Sequence, residues 1–299
     1  MLPPPGLSII PSFLSAQQYE QLEKSVREAF DHSIEQQERG TRGRRIPLDY
    51  GIRFDVRTCG IAKNEEPIPV WMDDLLKQIH TLTSLPSYEK TQDSEGPAMG
   101  IANTDFSNSM SIKSEVPRPL TVLHHITDKS ETLLPADFKP NQVTIQHYPP
   151  GSGIPPHIDT HSCLGTHILS FSLASTVNMQ FQQATEDTKR KMFQPRRCLA
   201  DHSQTINNGT MDERPPRAKQ ILEIPLESNS LCIMAGQARY AWTHGIRRRI
   251  TDLTPEGGVV QRLDRYSITL RQVDFDGKCG CAHPDWCDTR NQAYNSSRP

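Results

Sequence analysis

The chain has 299 residues and a formal net charge of −2 at neutral pH. That length accommodates one large core with decorations, and the near-zero charge excludes a global field for nucleic acid, so any RNA or DNA contact has to come from local patches. The sequence has no apolar run of membrane-spanning length, no basic-then-apolar leader and seven cysteines, an odd number; the expectation is a soluble protein of a reducing compartment, cytoplasmic or nuclear, with no membrane association.

In chain order, Ser15 followed by Gln18 has the pattern of a capping box. Tyr19, Leu22, Val26 and Phe30 then recur at helical spacing, which predicts a packing helix. Arg42, Arg44 and Arg45, then Tyr50 and Arg53, mix basic and aromatic groups. Such a mixture suits backbone phosphates and stacked bases, and equally describes an ordinary arginine-rich surface loop. Pro69 opens a second amphipathic helix through Met72, Leu75, Leu76, Ile79 and Leu82. The stretch 83–119 is polar and without apolar periodicity, and is read as an insertion.

A strand block begins near Asn141. Val143 and Ile145 fall on one face of the first strand, Thr144, Gln146 and Tyr148 on the other. Further strands are predicted at 166–173, 178–181, 220–226, 230–234 and 265–273. Several short strands separated by turns indicate a sandwich or barrel, of which a jelly roll is one form. A second polar insertion spans 184–219. It carries Lys189-Arg-Lys191 and Arg196-Arg197, and is either a solvated loop or an arm that contacts RNA.

Within this frame, Gly153-Ile-Pro-Pro-His157-Ile-Asp159-Thr places an imidazole and a carboxylate two positions apart. On a strand such residues point the same way. Trp242-Thr-His244-Gly supplies a second imidazole. Two His and one carboxylate occupy one face of an octahedral metal and leave the other face open, which is the ligand set of non-heme Fe(II) oxygenases. Arg265 and Arg271, six apart on a strand, share a face with Ser267 and Thr269. Buried arginines there need anionic partners, and a dicarboxylate provides them. Arg247-Arg248-Arg249 follows the second imidazole and makes either a basic rim or a simple solvated turn. At the end, Cys279, Cys281 and Cys287 gather three thiols around His283. Zinc takes four such ligands in closed structural sites. Cys232 reads as core; Cys59, Cys163 and Cys198 show no pairing pattern.

The order Tyr148-x-Pro-Gly, His157-Ile-Asp159, Arg239-Tyr-Ala-Trp-Thr-His244-Gly-Ile and Arg265-x5-Arg271 resembles the AlkB family of Fe(II)/2-oxoglutarate dioxygenases. Within that family the similarity is strongest to the enzymes that hydroxylate a tRNA wobble uridine. Pro5-Gly6-Leu7 to Ser15 and Arg45-x4-Tyr50-Gly51-x-Arg53-Phe54 are also AlkB-like. The resemblance runs from about Pro5 to Cys287. It implies an α+β, mainly β fold: a double-stranded β-helix with N-terminal flanking helices, forming a single domain over 1–290. Residues 279–287 would be a zinc clip and 291–299 a tail.

The resemblance further implies iron on His157, Asp159 and His244. 2-Oxoglutarate would be held by Tyr148, Gln146 and Arg265, with Arg271 nearer the metal end beside Asp159. Zinc would sit on Cys279, Cys281 and Cys287 with His161 as fourth ligand, His283 being the local rival. Substrate contacts would come from Arg45, Tyr50 and Arg53. The implied reaction is hydroxylation of 5-methoxycarbonylmethyluridine in tRNA by a monomer, with a separate methyltransferase as partner. The alternatives are oxidative demethylation of N-alkylated DNA or RNA, and a non-catalytic RNA- or protein-binding module.

Overall fold

The computed structural model describes residues 2–36, 47–55, 60–61, 66–83, 123–124, 133–161, 163–185, 221–254, 257–273, 279–284 and 287. Both polar insertions, all but their first residues, lie outside these, as do Arg42, Arg44, Arg45, Cys59, Cys198 and the tail 291–299.

The elements run β1 (Leu7–Ile10), α1 (Ala16–Gln36), β2 (Leu48–Gly51), β3 (Phe54–Asp55), β4 (Gly60–Ile61), α2 (Asp73–His80) and β5 (Leu123–His124). They continue through β6 (Gln142–Tyr148), β7 (Ile154–His157), β8 (Leu164–Leu173), β9 (Val177–Gln183), β10 (Leu222–Leu226) and β11 (Ser230–Met234). Last come α3 (Gly236–Tyr240), β12 (Trp242–Ile246), β13 (Thr251–Leu253), β14 (Val259–Gln261) and β15 (Arg265–Val273). A seven-stranded sheet, β2-β6-β15-β8-β11-β1-β5, faces a four-stranded sheet, β10-β9-β12-β7. The named pairings within both are antiparallel, which is the two-sheet, mainly β jelly roll with N-terminal helices that the strand pattern and the family resemblance implied.

Alternation along the strands builds two distinct apolar layers. Odd positions of β6 and β8 and even positions of β15, such as Val143, Ile145, Leu169, Phe171, Ile268 and Leu270, pack beneath α1 and α2 against Leu22, Val26, Leu75 and Ile79. Each fully buried aliphatic or aromatic chain of this kind stabilises the fold by roughly 1.5–3 kcal/mol. The opposite faces meet between the sheets, where Ile168, Met179, Phe181, Leu226 and Cys232 form the second layer. Cys232 is fully buried there.

The capping box is present: the Ser15 amide donates to Gln18 Oε1 at 3.1 Å and the Gln18 amide to Ser15 Oγ at 3.3 Å. The second helix is shorter than its apolar pattern suggested. Its regular part is α2, and 3-10 turns at Val70–Met72 and Thr81–Thr83 carry the remaining positions. Among the described residues no helix is long and apolar enough to cross a membrane.

Candidate active site

The seven-stranded sheet turns a polar stripe toward the smaller sheet. In the β6–β15 ladder Tyr148 opposes Arg265, Gln146 opposes Ser267 and Thr144 opposes Thr269, and paired residues share a face. These side chains, with Met234 of β11 in the same sheet, line a cavity of about 150 Å³, walled on the other side by His157, His244 and the apolar Ile154, Met179 and Ile246.

Strand register brings the two imidazoles together. His244 on β12 is the direct ladder partner of His157 on β7, and their ring centroids are 4.4 Å apart. The strands approach closely because of two glycines. A Cβ on Gly245 would meet the Pro156 backbone at 2.8 Å, and one on Gly153 the Ile246 carbonyl at 2.1 Å. A methyl group at either position would push β7 off β12 and part the two imidazoles.

Asp159 reaches the same point by a different route from the one its spacing suggested. β7 ends at His157, so the strand-alternation argument does not apply, and Asp159 sits in irregular backbone beyond it. Two arginines place it. Arg271 Nε lies 3.1 Å from Asp159 Oδ2. Arg239, only 2 % exposed, donates from Nη1 to the Asp159 carbonyl at 2.9 Å and from Nη2 to the Thr160 carbonyl at 2.6 Å. As a result, one donor atom from each of His157, Asp159 and His244 lies within 4.8 Å of the others.

The electrostatics prepare these groups for a cation. Burial pushes the Asp159 carboxyl toward protonation, but Arg271, His244, His157 and Arg239 together outweigh it and hold the group well below the usual carboxylate range. Burial, reinforced by His157, lowers His244 to about 3, so the ring is neutral near pH 7 and offers a lone pair. His157 Nδ1 is 2.9 Å from the Pro155 carbonyl. A carbonyl only accepts, so Nδ1 carries the proton and Nε2 is left to face Asp159, 3.7 Å away. Two imidazoles and one carboxylate, with a cavity beside them, fit ferrous iron with open positions.

At the other end of the cavity stands Arg265. It is 2 % exposed, and burial lowers its guanidinium to about 10, so it remains charged at neutral pH. Its Nη2 donates to Ser172 Oγ at 2.9 Å. Among the described residues its buried Nε and Nη1 have no hydrogen-bond partner. Leaving two buried, charged donors unsatisfied costs several kcal/mol unless an anion meets them. Tyr148 lies under the guanidinium, 5.4 Å from Cζ to the ring centroid, and its hydroxyl donates to Gln146 Oε1 at 2.5 Å.

Of the residues singled out for nucleic acid, Arg45 lies outside the described residues and Arg53 is exposed. Tyr50 does not face the cavity. It is the ladder partner of Val143, on the helix side of the sheet, and its ring packs edge-on against Trp71 at 6.1 Å. The neighbouring Asp49 instead shares the cavity side and accepts from Thr144 Oγ1 at 2.9 Å. The triple arginine splits likewise. Arg247 and Arg248 are exposed, whereas Arg249 lies 2.6 Å from Glu223 in an ion pair that also includes Asp252.

A second donor cluster lies close by. His161, Cys279, Cys281 and Cys287 each offer an atom within 4.8 Å of the rest, and His161 Nδ1 is 3.5 Å from Cys281 Sγ. The cysteine segment thus meets His161, and His283 is not in the group. Burial pushes the Cys279 thiol up to about 12 and raises Cys281. The four donors are mostly buried, as in a closed tetrahedral site.

Arg239, Ser172 and Thr269 were missed as site residues. Arg239 stands inside a recognisable block, but nothing in the sequence says which carbonyls it holds.

With this geometry in place, the comparison with known families is decisive: the description "2OG-Fe(II) oxygenase superfamily" matches residues 6–271. The chain belongs to this superfamily. Among characterised proteins this oxygenase is similar to the tRNA (carboxymethyluridine(34)-5-O)-methyltransferase alkbh8 of Xenopus tropicalis, with 33% identity over 175 residues, 54% of this chain and 22% of the relative. It is also similar to the Arabidopsis thaliana alkylated DNA repair protein ALKBH8 homolog, with 31% identity over 157 residues, 52% of this chain and 41% of the relative. The solved structure of OsALKBH1 aligns with 91% of this chain and 98% of its own, at 15% identity and a TM-score of 0.45. The oxygenase chain thus matches less than half the length of the two curated relatives.

Proposed function

We propose that this oxygenase hydroxylates a modified wobble uridine, 5-methoxycarbonylmethyluridine, in tRNA. The observation that carries the catalytic part is the pairing of the His157–Asp159–His244 group with the Arg265 guanidinium, whose Nε and Nη1 have no hydrogen-bond partner among the described residues, across one cavity. The wobble-uridine part rests on similarity to relatives whose names refer to carboxymethyluridine at tRNA position 34.

His157, Asp159 and His244 would hold the iron, which together with 2-oxoglutarate supplies the activation of O2 for C–H hydroxylation. Arg265 would clamp the far carboxylate of 2-oxoglutarate with its two open N–H groups. Tyr148 and Gln146 already form a hydrogen-bonded pair facing the cavity, from which the tyrosine hydroxyl can turn to the co-substrate. Arg271 keeps Asp159 ionised and oriented. Ile154, Met179, Met234 and Ile246 give the cavity apolar walls, which would strengthen each charged contact inside once substrate covers it. In the balanced reaction one oxygen atom of O2 enters the substrate C–H bond, and the other enters succinate as 2-oxoglutarate loses CO2.

Cys279, Cys281, Cys287 and His161 would hold a structural zinc that ties the tail to the segment following Asp159. We further propose that nucleic acid is the partner and that Arg45 and Arg53 contribute to its binding. The oxygenase would act as a monomer in the cytoplasm or nucleus, with a separate methyltransferase as partner.

The deciding experiment is mass spectrometry of nucleosides from tRNA incubated with the protein, Fe(II), ascorbate and 2-oxoglutarate. The expected result is a wobble uridine gaining one oxygen with the ester intact. A second reading, oxidative demethylation, is favoured by the name of the Arabidopsis relative. Formaldehyde release from an N-methylated oligonucleotide, with wobble uridine untouched, would replace the first reading with the second.

A further inference from the structure

The two donor clusters are joined by a segment of three residues, Asp159-Thr160-His161. Its first member belongs to the open group and its last to the thiol group. Asp159 lies past the end of β7, so no β-ladder fixes its backbone. Its carbonyl and that of Thr160 are held instead by the two terminal nitrogens of Arg239, at 2.9 and 2.6 Å. Such a fork fixes both position and direction, as a single-point donor cannot.

Arg239 is itself tied to the thiol group. Its guanidinium stacks over the neighbouring Tyr240, 4.8 Å from Cζ to the ring centroid. That ring meets His161 edge-on at 4.9 Å. Arg239 and Tyr240 therefore grip the beginning and the end of one short segment. Both come from α3, which runs into the strand that carries His244.

Resting on the iron reading above, we infer that Arg239 is a positioning residue through which the thiol–imidazole cluster sets the placement of Asp159. A filled cluster pins His161, Arg239 pins the carbonyls before it, and the carboxylate is delivered to the two imidazoles. An emptied cluster releases His161 and slackens the open site without removing any of its ligands.

The test uses the full chain, with zinc in the thiol cluster, titrated with Co(II). Cobalt on nitrogen and oxygen donors gives weak d–d absorption. Cobalt on thiolates gives intense charge-transfer bands, so the two sites are read separately. With the cluster filled, Arg239→Gln should weaken Co(II) at the open site by about tenfold, the scale for residues that orient metal ligands from behind, while zinc content and circular dichroism stay unchanged. Arg239→Lys, which can hold one carbonyl, should fall between. Removing zinc from the unmodified protein should weaken the open site comparably, and removing it from Arg239→Gln should add little.

Open-site affinity within about twofold of the unmodified protein in Arg239→Gln, on the tenfold scale expected, would overturn the inference. So would an effect of zinc removal that persists in full without Arg239. If Arg239→Gln does not fold, the same criteria apply to Arg239→Lys. If zinc removal unfolds the chain, the zinc-filled comparison decides. Failure of the iron reading looks different: no d–d spectrum at all in the unmodified protein, or one that survives Asp159→Ala.

Discussion

Two clusters of metal-type donors share one short segment of this chain, Asp159 belonging to one and His161 to the other, and are built to opposite plans. His157, Asp159 and His244 form a three-donor group that opens onto a cavity of about 150 Å³. His161, Cys279, Cys281 and Cys287 form a four-donor group that is mostly buried. An ion in the first keeps free positions for reactants; an ion in the second has none and can only hold protein segments together. Their supporting residues differ in the same sense. The open group is surrounded by charged side chains, Arg271 and Arg239 on Asp159 and Arg265 beyond. The closed group is flanked by the aromatic Tyr240.

The largest expected effect separates chemistry from fold. Asp159→Ala should reduce 2-oxoglutarate turnover to background while the thermal midpoint stays close to that of the unmodified protein. Retained turnover, measured as succinate formed, would remove iron from this site.

Next, Arg265→Ala should raise the KM for 2-oxoglutarate by roughly 10–100-fold, the value of hydrogen bonds to a charged group. Arg53→Ala, at an exposed position, should leave that KM almost unchanged. The reverse order in steady-state kinetics would reassign the carboxylate clamp.

The closed cluster should answer in stability. Chelating the zinc proposed for it should lower the melting midpoint by roughly 10 °C or more, followed by differential scanning calorimetry. Stripping iron from the open group should move it much less. Equal shifts would mean that the open group is structural as well.

The smallest effect comes from a buried ionic group that needs no metal. Asp252, 3 % exposed, takes bonds from Arg262 at 2.6 and 2.8 Å. Burial acts to raise its pKa, but the Arg262 and Arg249 hydrogen bonds prevail and lower it. A depressed folded-state value contributes stability that is fully present above the ordinary aspartate value near 3.9 and is lost as pH falls through the folded value. In acid unfolding, Asp252→Asn should therefore lose less stability than the unmodified protein between pH 5 and the acid limit. Parallel acid profiles would show that the pair has no such role.

Much of this was legible in local pattern. Alternation in Gln142–Tyr148 and Arg265–Val273 gave both strands and their polar faces, because side-chain direction on a strand has a period of two. The Ser15–Gln18 cap was readable because a capping box is complete within four residues. Tyr50 misled for a related reason. Aromatic character beside arginines suggested a nucleic-acid contact, but its ladder partner Val143 fixes it on the helix side, and a one-residue difference in phase reverses a face.

By itself, then, the order of residues determined which donors exist, which strand faces are polar and which family pattern they follow, since these depend on chemistry and spacing within short segments. Tertiary structure alone decided that His244 would stand opposite His157, that Asp159 would be carried by Arg239 and Arg271 and not by a strand, and that the tail would close on His161. Those outcomes depend on ladder register and on contacts between residues 80 to 120 positions apart, and such separations leave no local trace in a sequence because the interactions exist only once the two sheets have packed.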